Sequence, residues 1–188
     1  LFVIIAFIYV WKFSQEIFED KIYSLISLLI LEGIFFYNFT TPEFNVNVCQ
    51  LPFWALTVYY FWKSINTNKI FNWILFGTFS ALGFLSKYLF IYLLFAFVLF
   101  FLINLKKNKK LIFKYIISIV ISLLILTPHF YWLIKNDFVT ILYGFARTGL
   151  VESNIIDHFK NSLFFIFKQI GILLPVFIMA FTLVKKFR

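Results

Sequence analysis

The hydrophobic residues form long runs that short polar stretches separate. Seven runs approach the roughly 20 apolar residues that cross a bilayer as a helix. They are residues 1–14, 22–38, 48–64, 70–86, 88–105, 111–127 and 161–184. The region 70–105 is too long for one span, and we divide it where Ser86 and Lys87 interrupt it after Gly83. The pattern predicts an all-α, polytopic bundle of about seven transmembrane helices.

Composition agrees with this pattern. Hydrophobic residues make up 63% of the 188 residues, mean hydropathy is +0.95, and charged residues make up only 13%. Soluble domains are closer to about a quarter charged, and a 22.5 kDa core could not bury this much apolar surface. We therefore expect a multi-pass membrane protein rather than a soluble domain.

The basic residues are distributed unequally between alternate loops. Lys and Arg concentrate in cytoplasmic loops, and one set of alternate loops holds 12 of the 17 basic residues with only three acids. Those basic residues are Lys12, Lys21, Lys63, Lys69, Lys106, Lys107, Lys109, Lys110, Lys114, Lys185, Lys186 and Arg188. The net charge of +9 is therefore read as a topology signal, and no nucleic-acid partner is expected.

The opposite set of loops is predicted to lie outside. It includes the polar stretch after the second span, the turn at Lys87 and a long loop over about residues 128–160. Within that loop, SNIIDHF can begin a short helix, with Asn154 as its cap and Asp157 three residues on. Such a helix would lie in the membrane interface.

The ends of the chain resemble the interior of a longer one. Leu1 lies inside an apolar run, the only methionine is Met179, and the chain ends in VKKFR. We expect residues 1–188 to be a single transmembrane-domain fragment with a truncated C-terminus.

Few residues suit a metal or a known catalytic motif. Cys49 is the single cysteine, and His129 and His158 are too far apart for a short metal motif. There is no Walker A sequence, no glycine-rich dinucleotide loop, no G-x-S-x-G and no H-E-x-x-H. We predict no cofactor and no metal ligands, and a divalent cation stays open as a further component.

The densest polar stretch is TTPEFNVNVCQLPFW, residues 40–54. In an extended conformation it places Glu43, Asn45 and Asn47 on one face, whereas a helix would spread them. Pro42 suits the first turn of a helix that Thr41 or Thr40 caps. Carboxylate and amide groups can bind sugar hydroxyls or a cation. The alternative is a solvated loop that caps the third span.

Five other residues are candidates, each with a structural alternative. Glu32, near the outer end of its run, either lines an outward cavity or is a protonated or paired carboxyl at the interface. Lys87 either holds a phosphate or extends into the headgroups. Arg147, with Lys135, either contacts phosphate or is solvated, and His129 either binds substrate or is an interface histidine.

Several quoted segments carry a family resemblance by their order and spacing. They are FNVNVCQLPFWALTVYYFWKSI, WILFGTFSALGFLSKYLFIYLL, TPHFYWLIKNDF and HFKNSLFFIFKQIGILLPVF. In this order they resemble bacterial polytopic glycosyltransferases of the GT-C superfamily, related to protein O-mannosyltransferases and to the lipid A aminoarabinose transferase. The similarity extends over nearly the whole chain.

The resemblance implies a function. Those enzymes transfer a sugar from a polyprenyl-phosphate-linked donor to a lipid, glycan or protein acceptor at the outer face of the bacterial inner membrane. Their catalytic carboxylate precedes the second transmembrane helix, which the run ending at Trp11 and Lys12 resembles. The resemblance therefore places the first helix, the first outer loop and the catalytic residue upstream of Leu1.

The resemblance also implies roles for three positions. LSKY matches a frequent family motif, which makes Lys87, with Tyr88 beside it, the candidate for the lipid-phosphate side. The family often has Asp where this chain has Asn47. Because an amide cannot act as a general base, Asn47 is expected to bind rather than to transfer a proton.

Two other classes of protein remain alternatives. A multi-pass transporter or permease would use Glu32 and Lys87 as pathway residues, but it favours broken helices in repeated halves, and no repeat is visible. A flippase-like or structural membrane protein would need no polar cluster outside. A membrane glycosyltransferase explains the most features of the chain.

Overall fold

A computed structural model of the protein describes residues 1–18, 20–38, 41–103, 109–147 and 155–186. Within these ranges the chain is mostly helical and contains no strand, which confirms the predicted all-α class. The α-helices are α1 (Phe2–Ile17), α2 (Lys21–Glu32), α3 (Phe35–Asn38), α4 (Val46–Thr67), α5 (Ile70–Ser86), α6 (Ile91–Ile103), α7 (Ile112–Lys135), α8 (Val139–Arg147) and α9 (Ile155–Lys186). Short 3-10 turns precede α6 and α7, at Tyr88–Phe90 and Lys109–Leu111.

The hydrophobic runs predict most helix positions well. Residues 70–86 coincide with α5, and the predicted break at Lys87 is present. The run 22–38 is divided, because a turn at Gly33 and Ile34 separates α2 from α3.

The predicted number of membrane spans is wrong for the described residues. Two helices are long and apolar enough to cross a bilayer: α7, and α9 over Phe159–Leu183. Helix α5 is apolar, but its 17 residues at about 1.5 Å each give roughly 25 Å against a hydrocarbon core of about 30 Å. Helix α4 has 22 residues, but polar groups within it lower its hydropathy.

The chain divides into two compact units. Unit 1 comprises Leu1–Leu126 and unit 2 comprises Thr127–Arg188, so the boundary falls within α7. Unit 1 contains the buried aromatic core and most of the candidate site residues.

In unit 1, α1 runs parallel to α4. Tyr9 lies against Tyr59, with ring centroids 5.4 Å apart, and Phe13 lies against Trp62 at 6.1 Å. Ala6 at their interface has no exposed surface, since small residues allow the two helices to approach closely.

Helix α5 runs antiparallel to α4. Phe61 packs on Phe76 with centroids 5.1 Å apart, and Tyr60 stacks on Phe79 at 5.4 Å. The main core extends from this pair to α6 and α7. Its buried members are Phe61, Trp73, Phe76, Phe97, Phe101, Leu111 and Tyr115.

Helices α5 and α7 meet at Gly77. A Cβ at this position would overlap the backbone of Ser118, and the Ser122 hydroxyl donates a 2.7 Å hydrogen bond to the Gly77 carbonyl. A glycine is therefore required for this close approach.

These helix directions give unit 1 two chemically different ends. At one end, which we call the amide end, the start of α4 with Asn45 and Asn47 meets the end of α5 with Lys87. At the other end, which we call the lysine end, Lys63 lies in the C-terminal part of α4. There the Lys114 ammonium donates a 2.6 Å hydrogen bond to the Asn68 carbonyl. Lys69 and Lys110 belong to the lysine end as well.

Unit 2 corrects two expectations about the predicted loop 128–160. Pro128 does not end α7, which continues to Lys135. SNIIDHF does not form a separate short helix, because the helix that begins at Ile155 continues to Lys186, and Asn154 lies outside the described residues. The separate short helix of this region is α8.

Helix α8 is amphipathic and contains no buried residue. Thr140, Gly144 and Arg147 follow one another at helical spacing and form a polar stripe among apolar residues. The apolar side chains described in α9 are also mostly exposed, as expected of a helix that faces lipid.

Candidate functional site

Asn45 defines the start of α4. Its Oδ1 accepts hydrogen bonds from the backbone N–H of Asn47 at 2.9 Å and of Val48 at 3.3 Å, so it is the N-cap. The helix therefore begins after Asn45, and Pro42 lies in a preceding turn rather than in a first helical turn. The Thr41 hydroxyl donates to the Asn38 carbonyl at 2.8 Å, so Thr41 does not cap α4, and Thr40 lies outside the described residues.

Glu43, Asn45 and Asn47 therefore have different structural roles. Asn45 is a cap, Asn47 lies in the first turn of α4, and Glu43 is exposed in the turn before it. They do not form the continuous extended face that alternation allows. The prediction of a capping loop is confirmed for Asn45, and Asn47 remains available for other contacts.

Lys87 lies directly opposite Asn47. Helix α5 ends at Ser86, Lys87 is extended with φ −163° and ψ 128°, and the 3-10 turn follows. Its half-buried Nζ donates a hydrogen bond to Oδ1 of Asn47. Two residues that the sequence predicts as substrate contacts are thus in direct contact.

A tightly packed aromatic residue fixes the turn that carries Lys87. Phe90 has no exposed surface, and its ring centroid lies 5.4 Å from that of Trp54. A Cβ at Gly83 would overlap the Phe90 ring, so glycine at this position lets the ring pack over α5. Because Phe90 is only three residues from Lys87, its packing restricts where the ammonium can be.

Tyr88 is next to Lys87 and is partly exposed. Its ring lies against Phe84, with centroids 5.3 Å apart. Tyr88 therefore contributes an aromatic surface with a polar tip beside the ammonium, an arrangement that suits contact with a sugar or a lipid headgroup.

No described carboxylate pairs with Lys87. Glu32 is the exposed last residue of α2, Glu43 is also exposed, and neither lies within 4 Å of the Lys87 ammonium. The amide end of unit 1 thus presents a cation bound to a neutral oxygen. Such an arrangement can hold an anion, but it offers no general base next to the ammonium.

His129 and Arg147 belong to unit 2. His129 is partly exposed in α7 and stacks on Trp132, with centroids 6.1 Å apart and an interplanar angle of 14°. Arg147 is the exposed last residue of α8. The Lys135 ammonium lies 4.9 Å from the centroid of the Tyr131 ring.

The structure also shows one interaction that sequence reasoning missed. The Lys63 ammonium donates to Glu16 Oε1 at 2.9 Å and to Tyr59 Oη at 2.8 Å. From the sequence, Lys63 is predicted only to contribute to the topology signal. The sequence places both charges on the same side of the membrane, which was the only available indication that they could meet.

No metal site is visible in the part of the chain that the structure describes, where no three His, Cys, Asp or Glu side chains lie together as ion ligands. The Lys87 ammonium and the Asn47 amide are the polar groups that meet at the amide end.

Comparison with known families identifies the kind of protein. Residues 1–132 match the family described as dolichyl-phosphate-mannose-protein mannosyltransferase. The chain belongs to this family. The match includes all of unit 1, and with it Asn47 and Lys87. No curated protein and no solved structure that was compared with the chain matches it.

Membership of the mannosyltransferase family supports part of the functional prediction. The protein is a glycosyltransferase of the mannosyltransferase type, and its two long apolar helices agree with a membrane protein. The narrower resemblance to bacterial enzymes and to the aminoarabinose transferase stays a prediction.

Proposed function

We propose that this protein transfers a sugar from a polyprenyl-phosphate-linked donor to a lipid, glycan or protein acceptor at the outer face of the bacterial plasma membrane. Membership of the mannosyltransferase family supports the sugar-transfer reaction and the class of donor. The resemblance of the sequence segments to bacterial polytopic enzymes supports the location.

The observation that carries this proposal is the contact between Lys87 and Asn47. The amide oxygen orients the ammonium without neutralising it, and a lysine has three N–H donors, of which this bond uses one. A phosphate oxygen is a strong, charge-assisted acceptor for the others. As the glycosidic bond breaks, the same ammonium would stabilise the negative charge on the departing lipid phosphate.

The position of Lys87 relative to α4 strengthens this assignment. Asn47 lies in the first turn of α4, where the backbone amides give the helix a partial positive charge. Lys87 is the C-cap of α5, and its ammonium reaches across to this first turn of α4. An anionic ligand at this point could interact both with the ammonium and with the first-turn amides of α4.

Other residues of the amide end would surround the sugar. We propose that Tyr88, Glu43, Glu32 and the amide nitrogen of Asn45 contribute polar or aromatic surface there. His129 and Arg147, which belong to unit 2, stay predicted substrate contacts. No residue of this chain is proposed as the catalytic base.

The charges at the ends of unit 1 support the proposed orientation. The lysine end carries Lys63, Lys69, Lys110 and Lys114, as expected of a cytoplasmic side. The amide end is opposite, and we propose that it faces outward, where a lipid-linked sugar would be used.

The decisive experiment measures binding of polyprenyl phosphate and of polyprenyl-phosphate-linked mannose to the purified protein in nanodiscs. Lys87→Met removes a charge-assisted contact of about 1.5–3 kcal/mol. We expect Kd to rise by roughly 10-fold to 100-fold, and Lys87→Arg to retain part of the affinity because it keeps the charge.

Lys114→Met is the matched control. The Lys114 ammonium also donates to an asparagine side chain, Oδ1 of Asn68 at 2.9 Å, but at the lysine end. Lys114→Met should leave Kd for both ligands unchanged. Equal Kd for Lys87→Met and the parent, at equal thermal stability, would exclude Lys87 as a phosphate contact.

A further inference from the structure

Helices α4 and α5, which pack on each other, contain buried polar side chains that have no hydrogen-bond partner among the residues the structure describes. These are the hydroxyls of Thr57 and Ser64 on α4, and the indole nitrogen of Trp73 and the hydroxyl of Ser80 on α5. None of the four residues is more than 3% exposed. A buried polar group without a partner costs about 1–3 kcal/mol, so four along one interface need a physical explanation.

The positions of these groups follow a regular spacing. On α4, Gln50 Oε1 is also buried without a partner, and Gln50, Thr57 and Ser64 are separated by two helical turns each. On α5 the same spacing relates Trp73 and Ser80. Residues two turns apart lie on nearly the same face of a helix, so each helix presents its polar groups as one row.

The two rows lie at matching levels. Phe61 packs on Phe76, which fixes the antiparallel register of α4 and α5. One turn toward the amide end, this register places Thr57 level with Ser80. One turn toward the lysine end, it places Ser64 level with Trp73.

The same register continues to Lys87. Lys87 follows Ser80 by two turns on α5, and its bond to Asn47 lies one turn from Gln50 on α4. The polar rows therefore reach the amide end of unit 1.

We propose that the α4–α5 interface binds internal water molecules at these two levels, between Thr57 and Ser80 and between Ser64 and Trp73. A buried water makes about three hydrogen bonds and is found where protein polar groups lack partners. An indole N–H is a donor only, so the occupant of the second level must accept. Water accepts and donates, and it satisfies the hydroxyls as well.

Other hydroxyls in the same two helices show that this arrangement is not general. Thr78 donates to the Ile74 carbonyl at 3.0 Å, and Ser86 donates to the Leu82 carbonyl at 2.8 Å. Serine and threonine hydroxyls commonly satisfy themselves in this way within a helix. Thr57, Ser64 and Ser80 do not, which distinguishes the hydroxyls of the interface.

The bound waters would place polar solvent inside a bundle whose outer surface is apolar. They would also extend hydration toward Gln50 and the Lys87 ammonium from within the protein. This inference does not depend on the proposed function, because it concerns the helix interface and not the ligand of Lys87.

The test is solution NMR of the full chain, with ¹⁵N-labelled tryptophan, in deuterated nanodiscs. Trp73→Phe identifies the indole signal of Trp73. We expect that signal to show a cross peak with water although the residue has no exposed surface. Absence of the cross peak in the parent, together with slow indole exchange in D₂O, would overturn the proposal.

A pair of variants locates the water. Ser64→Ala removes one partner at the level of Trp73 and should abolish the cross peak, or reduce it several-fold. Thr78→Val removes a hydroxyl that bonds to its own helix and should leave it unchanged. An unchanged cross peak in Ser64→Ala would overturn the placement between Ser64 and Trp73, and the other tryptophan signals report whether each variant folds.

Discussion

The Nζ atom of Lys87 donates a 2.5 Å hydrogen bond to Oδ1 of Asn47, and so joins two helices through residues 40 positions apart in sequence. Lys114 makes a comparable contact with Asn68 at the other end of α4. There, however, the ammonium also binds a carbonyl at the negative end of the helix. Lys87 is bound instead in the first turn of α4, where the backbone amides also favour an anion, and we therefore propose an anionic ligand for Lys87 and a structural role for Lys114.

The first prediction concerns the energetic coupling of Asn47 and Lys87. Asn47→Leu removes the oxygen that orients the ammonium and should weaken polyprenyl phosphate binding. Because both residues serve one contact, Lys87→Met in the Asn47→Leu background should have a smaller effect than in the parent. We expect a coupling energy of about 1 kcal/mol from a double-mutant cycle of Kd values. Additive effects would show that Asn47 does not orient Lys87 for binding.

The second prediction concerns the packing that positions Lys87. Gly83→Ala forces the Phe90 ring to move, and overpacking of this kind costs about 1–3 kcal/mol. Thermal stability should fall, and the affinity for polyprenyl phosphate should also fall because the turn at Lys87 shifts. Gly171→Ala is the control, since nothing lies within 4 Å of a Cβ there. Equal melting temperatures for the two variants would contradict the proposed role of Gly83.

Local features of unit 1 could be predicted because they depend on local sequence. The apolar run 70–86 matches α5, since a continuous apolar run favours one helix and Ser86 and Lys87 interrupt it. The unequal distribution of basic residues between alternate loops places Lys63 and Glu16 on the same side of the membrane. In the structure the two residues form an ion pair.

Other features depend on tertiary contacts. The pairing of Asn47 with Lys87 follows from the register of α4 on α5, which a single sequence does not specify. The hydrophobic pattern predicts a loop from about residue 128, yet α7 continues beyond Pro128, as prolines in apolar helices often allow. The pattern also overestimates the number of spans, because apolar runs do not specify where each helix begins and ends.

The third prediction concerns the N-cap of α4. Asn45→Ala removes an acceptor for two backbone N–H groups and should destabilise the protein by about 1 kcal/mol. Asn45→Asp keeps an acceptor and should retain stability. Both can be measured by thermal unfolding in detergent. If Asn45 acts mainly on substrate instead, Asn45→Ala would raise the donor Kd without lowering the melting temperature.

The fourth prediction concerns orientation in the membrane. In a Cys49→Ala background, single cysteines are introduced at Glu43 and at Lys110, both of which are exposed and lie at opposite ends of unit 1. A membrane-impermeant maleimide added to spheroplasts should label Glu43→Cys and not Lys110→Cys, because the lysine end is expected to face the cytoplasm. Disrupting the membrane should make both accessible, which confirms that each thiol is reactive. Labelling of Lys110→Cys alone in intact spheroplasts would reverse the orientation and place Lys87 on the cytoplasmic side.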